Sequence, residues 1–252
     1  MILLGDIGNT ETKICILNYK GKILKRFNLT SKGISQKIVI KHFKKNKIKF
    51  DKITKILFCS VVPSTFKSIE FFIKKQTKIK IYEIKDLKLE KLLNIEANYK
   101  QVGSDRIANA ISVINNKENF IILDFGTATT FDVLIKNTYK GGIISPGIRL
   151  SLNTLSDKAT LIPKINLKKI KKVIGVDTLS AVRSGFFWGY AGLIDNIINL
   201  IIKETRKSFN VIITGGFSEL FKNSIKTKVL QDKDITIKGL FKASKLIQLY
   251  ER

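Results

Sequence analysis

Two short acidic turns carry the residues in this sequence best suited to chemistry. Asp6-Ile7-Gly8-Asn9-Thr10 and Asp124-Phe125-Gly126-Thr127-Ala128 each follow an apolar strand and lead straight into a second one. A carboxylate at a strand end beside glycine amides suits a polyphosphate with a divalent ion. The aspartate holds Mg²⁺, usually through water, while hydroxyl, amide and backbone N–H groups receive phosphate oxygens. In the first turn Asn9 and Thr10 supply those groups, and Lys13 adds a point charge. A single Asp-x-Gly is a common hairpin turn; a second copy at the matching place favours a duplicated site. Neither turn is a Walker A loop, and no G-x-G-x-x-G dinucleotide fingerprint is present.

Gly103-Ser104-Asp105-Arg106 opens a helical stretch, 103–116, with Ile107, Ala110, Ile111 and Ile114 on one stripe. Asp105 there either caps the helix or acts as a base. Held at a helix N-terminus it is expected to have a low pKa, orienting a hydroxyl and taking its proton late in a loose phosphoryl-transfer transition state. Arg106 is either a surface residue or a bidentate clamp on a substrate carboxylate. Gly141-Gly142 and Pro146-Gly147 mark a turn where backbone passes close to something, and Thr214-Gly215-Gly216 is either a nucleotide-proximal turn or a plain loop.

The elements that must position these residues follow from periodicity. Strands are expected at 1–4, 12–19 and 21–29, a β-meander opening, then helix 35–45, strand 55–62 ending at Pro63, and helix 64–76. Strand 120–124 and strand 130–135 repeat the opening, which implies two similar halves. The polar link 115–119 divides them into domains 1–116 and 117–252. The second half continues with an apolar helix 179–203, a strand 211–214 and a closing helix 239–249.

Composition narrows the chemistry. The 252 residues are 44% hydrophobic and 26% charged, a globular balance. The 46 Lys and Arg against 20 Asp and Glu give +26, spread in short runs beside Ile, Leu and Phe, which reads as a solvated face and makes nucleic acid an unlikely partner. Cys15 and Cys59 lie in apolar strands and read as reduced core thiols. His42 is the only histidine, so Ser-His-Asp hydrolysis and multi-histidine metal sites lack raw material. MILLGDIGNT is no signal peptide, and no segment is read as the ~18–20 apolar residues that span a bilayer, so a cytoplasmic protein without a membrane is expected.

DIGNTETK at 6–13, GSDR at 103–106, LDFGTATTFD at 123–132, GGIISPG at 141–147, GVDT at 175–178 and TGG at 214–216 resemble, in this order, the motif series of type III pantothenate kinases. The resemblance spans nearly the whole chain. It implies an α/β fold of two ribonuclease-H-like, actin-like ATPase domains related by internal duplication, with ATP in the interdomain cleft. The implied reaction is ATP-dependent phosphorylation of pantothenate to 4'-phosphopantothenate, the first step of coenzyme A synthesis.

Position by position, the resemblance makes Asp6, Ile7, Gly8, Asn9, Thr10, Glu11, Thr12 and Lys13 the first ATP-phosphate loop, with Asp6 organising Mg²⁺ through water. Asp105 matches the proton acceptor; Tyr99, Gly103, Ser104, Arg106 and Thr178 match substrate contacts. Asp124 resembles the site of a required monovalent cation, K⁺ or NH₄⁺, and Thr127 the second ATP-phosphate contact. Asp177 stands where the family often has Asn, adding negative charge near an anionic substrate. A homodimer is implied, so helix 179–203 packs either on its twin or in its own core. The alternatives are another small-molecule kinase of the superfamily, from which 103–106 and Thr178 separate it, or a non-catalytic nucleic-acid-binding or regulatory protein, which has no need of Asp6, Asp105 and Asp124.

Overall fold

The computed structural model describes residues 1–31 and 33–249. They form two compact units. The first holds residues 1–114, 137–139 and the closing segment from Asp234; the second holds 115–136 and 140–233. The sequence division at 116/117 assigns that closing segment to the second half, whereas its contacts place it in the first.

In the first unit β1 (Ile2–Ile7), β2 (Glu11–Leu17), β3 (Ile23–Thr30), β4 (Lys55–Ser60) and β5 (Ile81–Glu83) form a sheet in the order β3-β2-β1-β4-β5. Helix α1 (Gln36–Lys45) connects β3 to β4, and α2 (Pro63–Lys74) connects β4 to β5. Ser35 caps α1 by accepting from Ile38 N, and Pro63 supplies the preset φ that starts α2. A two-residue β6 (Asn94–Ile95) pairs with Thr138 and Tyr139, and α3 (Ser104–Val113) follows. β1 is buried along almost its whole length, as a central strand covered on both faces must be. From Arg26 onward edge strand β3 alternates, turning Arg26 and Asn28 to water and Phe27 and Leu29 to the core. That core packs Leu3, Ile14, Phe27 and Phe58 against Val39 and Phe43 of α1 and Ile69 and Phe72 of α2.

The second unit repeats the plan. β7 (Asn119–Phe125), β8 (Ala128–Ile135), β9 (Thr138–Pro146), β10 (Asn210–Gly215) and β11 (Val229–Gln231) take the order β9-β8-β7-β10-β11. β1 pairs antiparallel with β2 and parallel with β4; β7 pairs antiparallel with β8 and parallel with β10. The duplication read from two Asp-x-Gly turns is therefore a duplication of strand order. Helices α4 (Ile148–Lys158) and α5 (Thr178–Thr205) precede β10, α6 (Ser218–Phe221) precedes β11, and α7 (Ile235–Ala243) follows it. A 3₁₀ turn over Ser244–Leu249 continues α7, so the closing helix starts earlier than the sequence suggests and tightens at its end. β5, β6, β11, α4 and α6 have no counterpart in the sequence reading, and the turn expected over 141–147 is instead the end of β9 and the cap of α4.

Helix α5 corrects only the expectation that no segment is long and apolar enough to span a bilayer. By length and composition its 28 residues suffice to cross a bilayer, because Gly, Asn and Tyr interrupt the apolar run without lowering its average enough. One stripe, Ser184, Phe187, Ala191, Ile194, Ile198 and Ile201, is buried in the second unit's core against Ile121, Phe131 and Ile213, as in a helix covering a sheet. Trp188, Leu200 and Ile202 remain exposed.

In the first unit α7 lies on α3 at a separation only glycine permits. A Cβ on Gly239 would stand 1.7 Å from the Ala108 carbonyl oxygen, and Thr236 Oγ1 donates to buried Asn109 Oδ1 at 2.7 Å nearby. Gly239→Val is expected to lower the urea midpoint, by about 1–3 kcal/mol of overpacking or more. Gly185→Ala on α5, where a Cβ meets nothing within 4 Å, is the matched control and is expected to leave the midpoint unchanged or raised.

Candidate active site

The first hairpin places its carboxylate by register. Asp6, near the end of β1, stands opposite Lys13 on β2 and Cys59 on β4. The turn closes with Gly8 N donating to Glu11 O at 3.0 Å, leaving Asn9, Thr10 and Glu11 exposed at its tip. Ile7 and Thr12 point inward instead: Ile7 is in the core, and buried Thr12 Oγ1 hydrogen-bonds Ser31 Oγ at 2.8 Å. Any contact they make with a phosphate is therefore through backbone. Loss of water raises the Asp6 pKa to about 6, and the charge of Asp105 adds to the rise; Lys13 and the Cys59 thiol, which donates to Asp6 Oδ1 at 3.5 Å, oppose it.

Asp105 is thus brought close enough to Asp6 for the two carboxylates to repel. It sits in the first turn of α3, whose cap is Gly103 without a side-chain hydrogen bond, so Asp105 is not a helix cap. Its Oδ1 accepts from Arg106 N at 2.8 Å. The carboxylate folds back over Gly103, where a Cβ would stand 2.5 Å from that oxygen. The low pKa expected from the helix terminus is overturned: burial raises it, and this outweighs the Arg106 backbone N–H and guanidinium and the Lys85 ammonium, which lower it. A carboxylate with raised proton affinity is a better base than a capping one.

Around this pair, Ser104 is buried, and Tyr99 OH donates to Lys85 O at 3.0 Å. Cys59, read from sequence only as core, touches Asp6. Glu83 and Lys85 went unnoticed, because nothing in KIYEIKDLKLEK distinguishes them from surface charge.

The second unit holds the matching turn. Asp124 stands opposite Thr130 and Thr214, as Asp6 does opposite Lys13 and Cys59. Gly215, at φ +83°, lies against it: a Cβ there would be 2.5 Å from Asp124 Oδ1 and 2.6 Å from Phe125 O. Thr214-Gly215-Gly216 is thus beside the second aspartate, with Gly216 N donating to Phe125 O at 3.0 Å. Gly147, at the start of α4, presses on the Thr127 carbonyl, where a Cβ would be 1.9 Å away. Thr178 is the first residue of α5. Asp177 is its cap, accepting from Ser180 N at 2.8 Å while Ser180 Oγ accepts from Asp177 N at 3.1 Å. The acidic departure at 177 therefore has a local role, and the Ser180 N–H lowers its pKa.

Among the described residues no three His, Cys, Asp or Glu side chains group as a metal cage. A lone carboxylate fits Mg²⁺, which keeps several waters and takes substrate phosphate oxygens. Beside Asp124 the Gly215 backbone and the Phe125 carbonyl approach closely, and a carboxylate with a carbonyl oxygen supplies hard donors of the kind a cation takes.

Residues 2–200 match the family model of type III pantothenate kinases. The chain is 65% identical over 248 residues to the type III pantothenate kinase of Pelagibacter ubique, covering 98% of this chain and 100% of the relative. It is 33% identical to that of Syntrophotalea carbinolica, covering 95% and 96%. Among solved structures, a ROK family glucokinase from Streptomyces griseus in complex with glucose and AMPPNP superimposes with a TM-score of 0.50 at 12% identity, covering 97% of this chain and 98% of that one. This last likeness concerns the fold alone.

Proposed function

We propose how this chain, which belongs to the type III pantothenate kinase family, carries out the family's reaction, the ATP-dependent phosphorylation of pantothenate that opens coenzyme A synthesis. The observation that carries the residue assignment is the electrostatic coupling of Asp6 and Asp105, two carboxylates with raised proton affinity in one unit. Asp105 orients the pantothenate hydroxyl and accepts its proton as the oxygen bonds to the γ-phosphorus and the bond to ADP breaks. Arg106 clamps the substrate carboxylate, and Tyr99, Gly103, Ser104 and Thr178 complete its site.

The backbone of 6–13, with Asn9, Thr10, Glu11 and Lys13, cradles phosphate oxygens, and Thr127 provides the second contact. Asp6 would hold Mg²⁺ through water, and the ion would supply positive charge against the ATP phosphates and the carboxylate pair. Asp124 holds the monovalent cation. In a cytoplasmic homodimer a second copy packs on α5, whose side away from the buried stripe carries exposed Leu200.

Purified protein given ATP, Mg²⁺ and K⁺, with pantothenate, sugars and acetate as acceptors and products read directly by mass spectrometry, is expected to phosphorylate pantothenate alone. Phosphorylation of a sugar in preference would refute the substrate assignment. Replacing K⁺ by choline is expected to cut turnover at least tenfold, with NH₄⁺ restoring it. Undiminished turnover in choline would remove the cation from Asp124.

A further inference from the structure

Glu83, a half-buried carboxylate at the end of β5, has no part in the chemistry just described, yet its partners are the elements that carry both working aspartates. Its Oε1 accepts from Ser60 N at 3.2 Å and its Oε2 from Lys85 N at 2.7 Å, and the Ser104 hydroxyl donates to the same carboxylate. Ser60 follows Cys59, whose thiol reaches Asp6; Ser104 precedes Asp105. Glu83 N in turn donates to Asp86 Oδ2 at 3.0 Å, a reciprocal cap that locks the 3₁₀ turn Ile84–Asp86. From that turn Lys85 reaches the segment before α3: its ammonium donates to Tyr99 O at 3.2 Å and lies 5.4 Å from the Tyr99 ring centroid, while Lys85 O accepts from Tyr99 OH.

Three donors from three elements thus converge on one desolvated carboxylate. Such a group is costly to bury unless its oxygens are satisfied, and the donors are equally costly to leave unpaired, so together they hold a narrow geometry. A side chain serving only to finish β5 would need just the local bond from Lys85 N. Bonds to the end of β4 and to the first residue of α3 join two elements that β5 does not otherwise connect.

We propose that Glu83 is a positioning residue for phosphoryl transfer, holding the N-terminus of α3 against the end of β4 and so setting where the Asp105 carboxylate meets the acceptor hydroxyl. This rests on the reading of Asp105 as the proton acceptor. Small displacements of a reacting group have large effects on turnover and little on the binding of a distant nucleotide.

Glu83→Gln keeps the volume but presents one acceptor oxygen and an NH₂ to three donors. It is expected to lower kcat about tenfold per folded molecule, measured well below the unfolding midpoint, with KM for ATP within twofold. Ser104→Ala, which removes a single donor, supplies the second arm: a double-mutant cycle with Glu83→Gln is expected to be strongly non-additive in kcat. Core variant Ile73→Val, on α2 and away from the carboxylates, controls for stability and is expected to leave kcat unchanged. In an Asp105→Asn background Glu83→Gln is expected to have no further effect on kcat. A kcat for Glu83→Gln within twofold of the parent, or additivity with Ser104→Ala, overturns the proposal while Asp105→Asn remains inactive. A fully active Asp105→Asn overturns the underlying reading instead.

Discussion

Asp105→Asn is expected to lower kcat by about 10²–10⁴, the usual contribution of a positioned general base. The change is close to isosteric. The amide oxygen can still accept from Arg106 N, and Gly103, lacking a Cβ, leaves the side chain the room it already occupies, so α3 and its packing on α7 stay in place. What is lost is the ability to take a proton. KM for ATP is expected to change less than threefold, because the phosphate loop lies on β1 and β2.

A second readout follows from the coupling. Asp105 raises the proton affinity of Asp6, so removing its charge moves the Asp6 pKa down from about 6. Residual activity is therefore expected to persist to lower pH than in the parent, seen as a shifted acid limb of the rate profile. Turnover within threefold of the parent would remove Asp105 from the mechanism.

Asp6→Asn is expected to cost at least 10²-fold in kcat/KM and to weaken the dependence on Mg²⁺, since an amide offers the ion no charge. Its effect on stability has the opposite sign. The Asp6 pKa in the folded state is raised above its ordinary value of 3.8 to about 6. Folding therefore carries the cost of an ionised, desolvated carboxylate in full above about pH 6. That cost fades as pH falls from about 6 toward 3.8, and is absent below. At pH 7 the two-unit rise corresponds to roughly 2–3 kcal/mol. Without nucleotide or metal, Asp6→Asn is expected to unfold at the same or a higher temperature than the parent at pH 7, the gap closing toward pH 4. In the parent, Mg²⁺ with a nucleotide is expected to raise the midpoint at pH 7 and the variant to lose most of that gain. A variant less stable at pH 7 and equally active would show that Asp6 is a structural residue. A site that holds destabilising like charges in the free protein for use with a cation is the familiar trade of stability for activity.

Much of the molecule was legible along the chain because its signals are local. Apolar runs ended by Asp-x-Gly located β1 and β7, and the apolar segments that follow those turns located β2 and β8. The short parallel strands were not legible. β5 and β11 have three residues each, and β6 has two, too few to show a period against their lysine-rich surroundings. Helix α4 was missed because IRLSLNTLSDK mixes Ser and Asn with its apolar positions, leaving only Ile148 and Leu152 fully buried. The closing segment was assigned to the wrong unit because sequence adjacency says nothing about packing; the contact of Gly239 with Ala108 is what decides it.

By itself the sequence determined the doubled Asp-x-Gly plan and the ordered motifs that mark the family, since these depend on residue type and spacing alone. Only the tertiary structure decided the state of the carboxylates. Asp105, at a helix terminus where a low proton affinity is expected, has a raised one because burial outweighs the groups that lower it, and its charge in turn raises that of Asp6, about a hundred residues away in the chain. Asp177, an acidic intruder on paper, became the cap of α5 through its bond to Ser180. Glu83, unremarkable in sequence, became the meeting point of β4, β5 and α3. Desolvation and convergence of donors are properties of surroundings, and a chain acquires surroundings only when it folds.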